Sequence, residues 1–388
     1  MKRALSSFSP RRILAPASQI ASGRRFHYQP NERRTSGPLT MMLLDTTLRD
    51  GSYVINFNFD RQQTATICTE LDDAGVDLIE VGHGVGLNAS KRDQGLARET
   101  DEVYMAAAAG AVKRGKWGMF AIPGVCDLSH LDACIDYKMD FLRFGVSIDS
   151  YDKVRPFIEK AKDAGIMVCV NFMKSYVRPP IMFEKAAREV IGFGADYVYI
   201  VDSAGNMPPR TVRKYCERIS DLPFGFHAHN NLGLAVANAL EAADCGATII
   251  DTSLQGMGRC TGNTMTEHFV ALMQREGKLS HINLLAVLDA AEAHVRPLLR
   301  AVGHDSVDLI CGYAGFHSSY MDAIRRNSIE FDVDPRLLII EVCKQDQSDA
   351  PDALVRAAAM RLRSASDASG FRHRFRLDQY FGHEQEDL

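Results

Sequence analysis

One unit recurs along most of this chain: a short apolar run, a polar turn, an amphipathic stretch at helical spacing, then a glycine before the next apolar run. The runs are LLDTTL from Leu43, DLIEVG (77–82), WGMFAI (117–122), FLRFGV (141–146), IMVCVNFM (166–173), YVYIVD (197–202), FGFHAH (224–229) and ATIIDTSL (247–254). They are apolar throughout rather than alternating, as strands covered on both faces must be. Ala74-Gly75, Ala164-Gly165 and Cys245-Gly246 close the helices between them, and glycine suits the left-handed residue that ends a helix. Eight such units predict an α/β fold, a TIM (β/α)8 barrel over residues 40–278. A doubly wound open sheet is the alternative, but no G-x-G-x-x-G follows the first strand.

Past the eighth unit the pattern changes. Ile282 to Ala301, Tyr320 to Phe331 and Ala350 to Arg363 read as helices, so residues 279–363 are expected to form a helical C-terminal region. Residues 364–388 read as a charged, mobile tail.

Charge and cysteine usage bound the function classes. Residues 1–37 hold eight Lys and Arg against the single acid Glu32, so in a chain of net charge −4 the remainder is acidic. An acidic body argues against nucleic acid as a partner. The Arg- and Ser-rich opening has the composition of a mitochondrial transit peptide, with a disordered extension or an upstream start as the plainer readings. No apolar run reaches the length that spans a bilayer, so a soluble protein is expected. Nine cysteines occur singly, without C-x-x-C, which reads as reduced thiols in the cytoplasm or a mitochondrial matrix.

In a TIM barrel the chemistry sits at the C-terminal ends of the strands. The first strand is read as ending in Arg49 and Asp50, the seventh in His227-Ala228-His229, and the eighth as leading into the glycine-rich GMGRCTGN loop, which ends at Asn263. Histidines at i and i+2 on a strand share a face. With Asp50 they supply two nitrogens and one oxygen to one ion, leaving positions for substrate and water. A pair of satisfied barrel histidines is the plainer reading. Adjacent strand residues face opposite sides, so direct pairing of Arg49 with Asp50 is not expected; Arg49 instead suits an oxyanion formed during reaction. Asp202 and Ser203 sit at the rim. Lys174, ending the fifth strand, raises a Schiff-base lysine, although a solvated rim lysine is the simpler expectation.

TLRDG, HAHNNLGLAVANAL, GMGRCTGN and CGYAGFHSSY (311–320) together resemble the metal-dependent 4-hydroxy-2-oxovalerate aldolases, within the superfamily of hydroxymethylglutaryl-CoA lyase and isopropylmalate synthase. The resemblance runs from about Leu43 to Val355. It implies a divalent metal, commonly Mn2+ with Mg2+, Co2+ or Zn2+ as alternatives, held by Asp50, His227 and His229. It further implies a 2-oxo acid chelated through carboxylate and keto oxygen, and Arg49 stabilising a pyruvate enolate. Ser203, Asn263 and Tyr313 are expected on the substrate. An acylating aldehyde dehydrogenase that takes up the aldehyde is the implied partner, and a homo-oligomer the expected assembly.

Two positions depart from the family pattern. Tyr53 stands where these aldolases carry the histidine that acts as base on the C4 hydroxyl, and His317 stands where they carry tyrosine. The exchange predicts that the C-terminal segment folds over the barrel mouth, with His317 as base and Tyr53 hydrogen-bonding the substrate or the histidine. An imidazole with a pKa near 6.5 suits a base at neutral pH, whereas a phenol near 10 does not. The loop over residues 84–100 also varies, which leaves the aldehyde and the dehydrogenase partner open. An acyl-CoA lyase or Claisen-condensing enzyme of the same superfamily, a zinc hydrolase of the amidohydrolase type and a degenerate barrel scaffold are the competing readings. The GYAG segment argues against the first, the position of H-x-H on the seventh strand against the second, and the retained Arg49, Asp50, His227 and His229 against the third.

Overall fold

The computed structural model of this chain describes residues 41–92, 94–299 and 306–369. The expectations for residues 1–37 and for the tail beyond residue 369 lie outside the described residues. Eight parallel strands close into a barrel in sequence order. They are β1 (Met42–Asp45), β2 (Leu78–Val81), β3 (Lys116–Ala121), β4 (Phe141–Ser147), β5 (Met167–Met173), β6 (Tyr197–Asp202), β7 (Phe224–Ala228) and β8 (Ile249–Thr252), with β1 pairing β8 through Met42 to Asp45.

The helices that cover it are α1 (Arg61–Ala74), α2 (Asp101–Ala111), α3 (Leu131–Asp136), α4 (Arg155–Asp163), α5 (Pro180–Gly192), α6 (Pro209–Arg218), α7 (Ala235–Asp244) and α8 (Thr266–Arg275). Local chemistry sets their ends. Asp60 caps α1 in a reciprocal capping box with Gln63, and Gly75 leaves the helix at φ 89°. A side chain at Gly75 would also run into the His281 carbonyl oxygen, 2.7 Å from where its Cβ would stand.

The strands are buried along nearly their whole length, and their outer faces share one apolar core with the helices. That core does not stop at residue 278. Ile282, Val287, Ala290, Ala291 and Val295 belong to it, while a separate core starts at Val307 and runs to Ala359. The boundary therefore lies between Val295 and Val307. The helix expected from Ile282 to Ala301 is broken into α9 (Leu284–Ala290), a π turn (Ala291–Val295) and a 3-10 turn (Arg296–Leu298). Pro297 accounts for the break, since it lacks an N–H for the helical ladder and crowds the preceding turn.

Four helices form the C-terminal core: α10 (Ser306–Ala314), α11 (Met321–Phe331), α12 (Pro335–Cys343) and α13 (Asp352–Ser369). The last runs through residues 364–369, which the sequence reading assigned to a mobile tail. No helix among the described residues is long and apolar enough to cross a membrane. The C-terminal helices dock on the loops at the C-terminal ends of the strands. Asn231 donates to the Asp308 carbonyl at 3.0 Å, and Lys174 donates to the Tyr320 hydroxyl at 2.7 Å and the Ser348 carbonyl at 2.8 Å.

Candidate functional site

β1 ends at Asp45, five residues before the Asp50 at which the sequence reading ends it. Thr47 N–H donates to its neighbour Asp45 at 2.9 Å, and the N–H groups of Arg49 and Gly51 both donate to the Thr46 carbonyl, so the chain turns and enters a 3-10 helix, Asp50–Ile55. Strand alternation therefore does not apply to Arg49 and Asp50. The two pair directly, Arg49 Nη1 to Asp50 Oδ1 at 2.6 Å, contrary to expectation. Arg49 Nε also donates to Glu80 Oε2 at 2.6 Å.

His227 and His229 present their rings to Asp50 as the i, i+2 spacing predicts. Each Nε2 lies 3.9 Å from Asp50 Oδ2, and the three ligand atoms lie within 4.8 Å of one another. All three residues are buried. Such separations leave room for an ion bonded at roughly 2.0–2.2 Å. The donor set of two imidazole nitrogens and one carboxylate fits a divalent ion, and His227 Nδ1 pairs with Asp251 Oδ2 at 2.8 Å, which leaves Nε2 for that ion. Burial alone would raise the Asp50 carboxyl, but Arg49, His229 and His227 outweigh it and hold the group well below the carboxylate range. Burial pushes the His229 imidazole down to about 3, so it is neutral and competent as a ligand at ordinary pH.

A cavity of about 470 Å³ opens on this trio. Arg49, Asp50, Tyr53, Ser203, His227, His229 and His317 all line it. Tyr53 packs edge-on to Phe57 and lies under the Arg259 guanidinium, 4.5 Å from it. His317 Nδ1 accepts from the Ser319 N–H at 3.2 Å and lies 2.7 Å from the Ser319 hydroxyl. Burial, with Arg259 and Lys174 adding like charge, holds the His317 imidazole well below its usual range.

Two expected substrate contacts fall elsewhere. Asn263 is absent from the cavity lining and donates to Asp50 Oδ2 at 2.8 Å, so it orients the carboxylate. Tyr313 is 70% exposed and also absent from the lining. Gly312 takes the close contact of α10 with Asn231 and Leu232, and the next residue on a helix points about 100° away. Lys174 is half-buried and lines the same cavity, rather than standing in solvent at the rim. Burial lowers its pKa against the pull of Asp349 and Asp346, and its ammonium ties β5 to the C-terminal helices.

Sequence reasoning passed over Glu80, Arg143 and Asp251, which form a buried chain inside the barrel. Arg143 Nη1 donates to Glu80 Oε2 at 3.1 Å and its Nη2 to Asp251 Oδ2, and both its side chain and that of Glu80 are fully buried. The signal was present, since each is a charged residue inside an apolar strand run, a placement that charged groups adopt only when paired. Arg259 was likewise passed over, within the glycine-rich loop.

Comparison with known proteins agrees with this arrangement. Residues 40–293 match the family model described as HMGL-like. The chain is 38% identical over 307 residues to 4-hydroxy-2-oxovalerate aldolase 2 of Nocardia farcinica, covering 78% of this chain and 89% of that protein. It is 37% identical over 288 residues to the oxaloacetate decarboxylase of Mycobacterium tuberculosis, covering 73% of this chain and 85% of that one. The crystal structure of the N-terminal domain of a putative aldolase from Bacteroides vulgatus superposes with a TM-score of 0.63 at 22% identity, over 76% of this chain and all of that one, a likeness of fold. With a barrel closed around one aspartate and two histidines, and with relatives that are an aldolase and a decarboxylase, this chain belongs to the HMGL-like family.

Proposed function

We propose that the chain is a divalent-metal-dependent aldolase that cleaves or forms the C3–C4 bond of a 4-hydroxy-2-oxo acid, giving pyruvate and an aldehyde. The observation that carries this reading is the convergence of Asp50, His227 and His229 beside Arg49 on the wall of one cavity. A bound divalent ion, with Mn2+ the proposed one, supplies Lewis acidity toward the keto and carboxylate oxygens of the substrate. Arg49, fixed by Glu80 and Asp50, aims its remaining N–H donors at the oxygen that gains charge as the enolate forms. Ser203 shapes the wall, its hydroxyl accepting from the Lys174 N–H at 2.9 Å.

The proton of the C4 hydroxyl falls to His317. Its Nδ1 is occupied by Ser319, so Nε2 is the nitrogen left for substrate. Acting as base at Nε2 requires the tautomer protonated on Nδ1, which donates to the Ser319 hydroxyl at 2.7 Å in place of accepting from the Ser319 N–H. Tyr53, on the same wall, hydrogen-bonds the substrate or this histidine.

A second reading is decarboxylation of a 2-oxo diacid to the same enolate. The Ser319 N–H donating to His317 Nδ1 favours it, because that bond places the ring proton on Nε2, and decarboxylation needs no base at a hydroxyl. Metal-loaded protein offered 4-hydroxy-2-oxo acids of increasing length, and oxaloacetate, separates the readings through pyruvate, aldehyde and carbon dioxide release. His317→Ala is expected to slow aldol cleavage by roughly 10²- to 10⁴-fold, the usual contribution of a general base. Unchanged cleavage would remove His317 from the reaction, and absence of pyruvate from every substrate would remove the aldolase reading. An acylating aldehyde dehydrogenase remains the proposed partner and a homo-oligomer the proposed assembly, both tested by co-purification and sedimentation.

A further inference from the structure

We propose that Arg143 is a positioning residue that couples the two halves of the active site, setting the oxyanion donor Arg49 and the ligand His227 against each other from inside the barrel. The inference rests on the reading that Asp50, His227 and His229 hold a metal.

Five side chains form one continuous path. Arg49 Nε donates to Glu80 Oε2 at 2.6 Å, and Arg143 Nη1 donates to the same oxygen at 3.1 Å. Arg143 Nη2 donates to Asp251 Oδ2, and that oxygen also faces His227 Nδ1 at 2.8 Å. Each carboxylate therefore uses a single oxygen to serve both Arg143 and one residue of the site. Displacing Arg143 releases Glu80 from one side and Asp251 from the other, and with them the guanidinium of Arg49 and the ring of His227.

Aromatic rings fix the planes of this path. The Arg143 guanidinium lies 4.5 Å from the centre of the Tyr199 ring and 6.0 Å from that of Phe120, whose centre is 4.7 Å from the Arg49 guanidinium. Gly225 makes room for Tyr199, since a Cβ there would stand 2.4 Å from its ring. A buried ion pair is poor value as a stabiliser, because apolar residues of equal volume often stabilise as well or better. A planar fork that reaches two carboxylates in fixed directions is better accounted for as a geometric device.

Co2+ serves as the probe, through its visible absorption, on the full chain stripped of metal. Arg143→Met is expected to bind Co2+ roughly 10- to 100-fold more weakly, the usual effect of losing an outer partner of a metal ligand. Its Co2+ band should shift, and kcat for pyruvate release should fall while KM stays nearly constant. Asp251→Asn should reproduce the loss of metal affinity, and Glu80→Gln the loss of kcat with metal affinity retained. Arg143→Lys keeps charge and bulk but has a single ammonium in place of the fork, so it should show a partial loss of both with little change in melting temperature. It carries the test if Arg143→Met does not fold. Wild-type Co2+ affinity, spectrum and kcat in a folded Arg143 variant would overturn the inference alone. A wild-type chain that binds no Co2+ would overturn the metal reading and the inference with it.

Discussion

Lys174 Nζ lies 2.7 Å from the hydroxyl of Tyr320, joining the end of the fifth strand to the segment that carries His317. The same ammonium donates to the Ser348 carbonyl at 2.8 Å, and Tyr320 donates to that carbonyl at 3.0 Å, so three groups close one knot over the cavity. Lys174→Met should break the knot and lower turnover roughly 10- to 100-fold, in keeping with the roughly 1.5–3 kcal/mol of a hydrogen bond to a charged group. In a His317→Ala background the same change should lower turnover no further, because its effect is transmitted through His317. Steady-state kinetics of the four proteins check this, and additive losses would disprove it.

Arg49→Lys keeps a positive charge but gives up the fork that holds Glu80 and Asp50 together. Turnover should fall by roughly 10²- to 10³-fold, as when an oxyanion donor is lost. Metal content should stay close to wild type, since Asp50 keeps its Asn263 bond at 2.8 Å. Metal analysis beside kinetics separates the two effects.

Gly258 has no room for a side chain, because its Cβ would stand 2.5 Å from the Asn263 amide nitrogen, which donates to Asp50. Gly258→Ala should push Asn263 off the carboxylate and weaken metal binding about tenfold, the lower end of the effect of losing a supporting partner. Calorimetric titration with Mn2+ measures it. Asn263→Ala should give the same loss, and Gly258→Ala added to it nothing more.

His83 is buried and stacked on Phe57 at 3.9 Å, with one ring nitrogen facing the Gly95 carbonyl and the other accepting from the Val85 N–H. Burial pushes its imidazole down to about 4. The unfolded chain, with an ordinary histidine near 6.5, therefore binds more protons between those values, and stability is lost as pH falls from 6.5 toward 4. Denaturant unfolding across that window should show a steeper decline in wild type than in His83→Asn. Val85 and Gln94 line the cavity, so acid should loosen that wall first.

Much of this molecule was legible from residue order, for reasons that are local. Continuous apolar runs separated by glycine-capped helical stretches determine a parallel sheet covered on both faces, and eight of them determine the closed barrel. The i, i+2 spacing of His227 and His229 places both rings on one face because the backbone stays extended through His229, which bridges to Asn263 just past β7. What local pattern could not supply was where β1 turns, because the hydrogen bonds to Asp45 and Thr46 compete with the ladder within a few residues. The pairing of Arg49 with Asp50 follows from that turn and was misjudged for the same reason.

Only the tertiary structure decided the partners. The path from Arg49 through Glu80, Arg143 and Asp251 to His227 draws on five separate chain segments whose side chains meet only after the barrel closes. Tyr313 and His317 lie four residues apart in one short segment, yet one is exposed and the other lines the cavity. Helix rotation and the docking of Gly312 on Asn231 separate them, and that docking requires two cores to be assembled first. Periodicity fixes which residues share a face of an element, whereas the contacts across elements that place a charge or a proton are long-range.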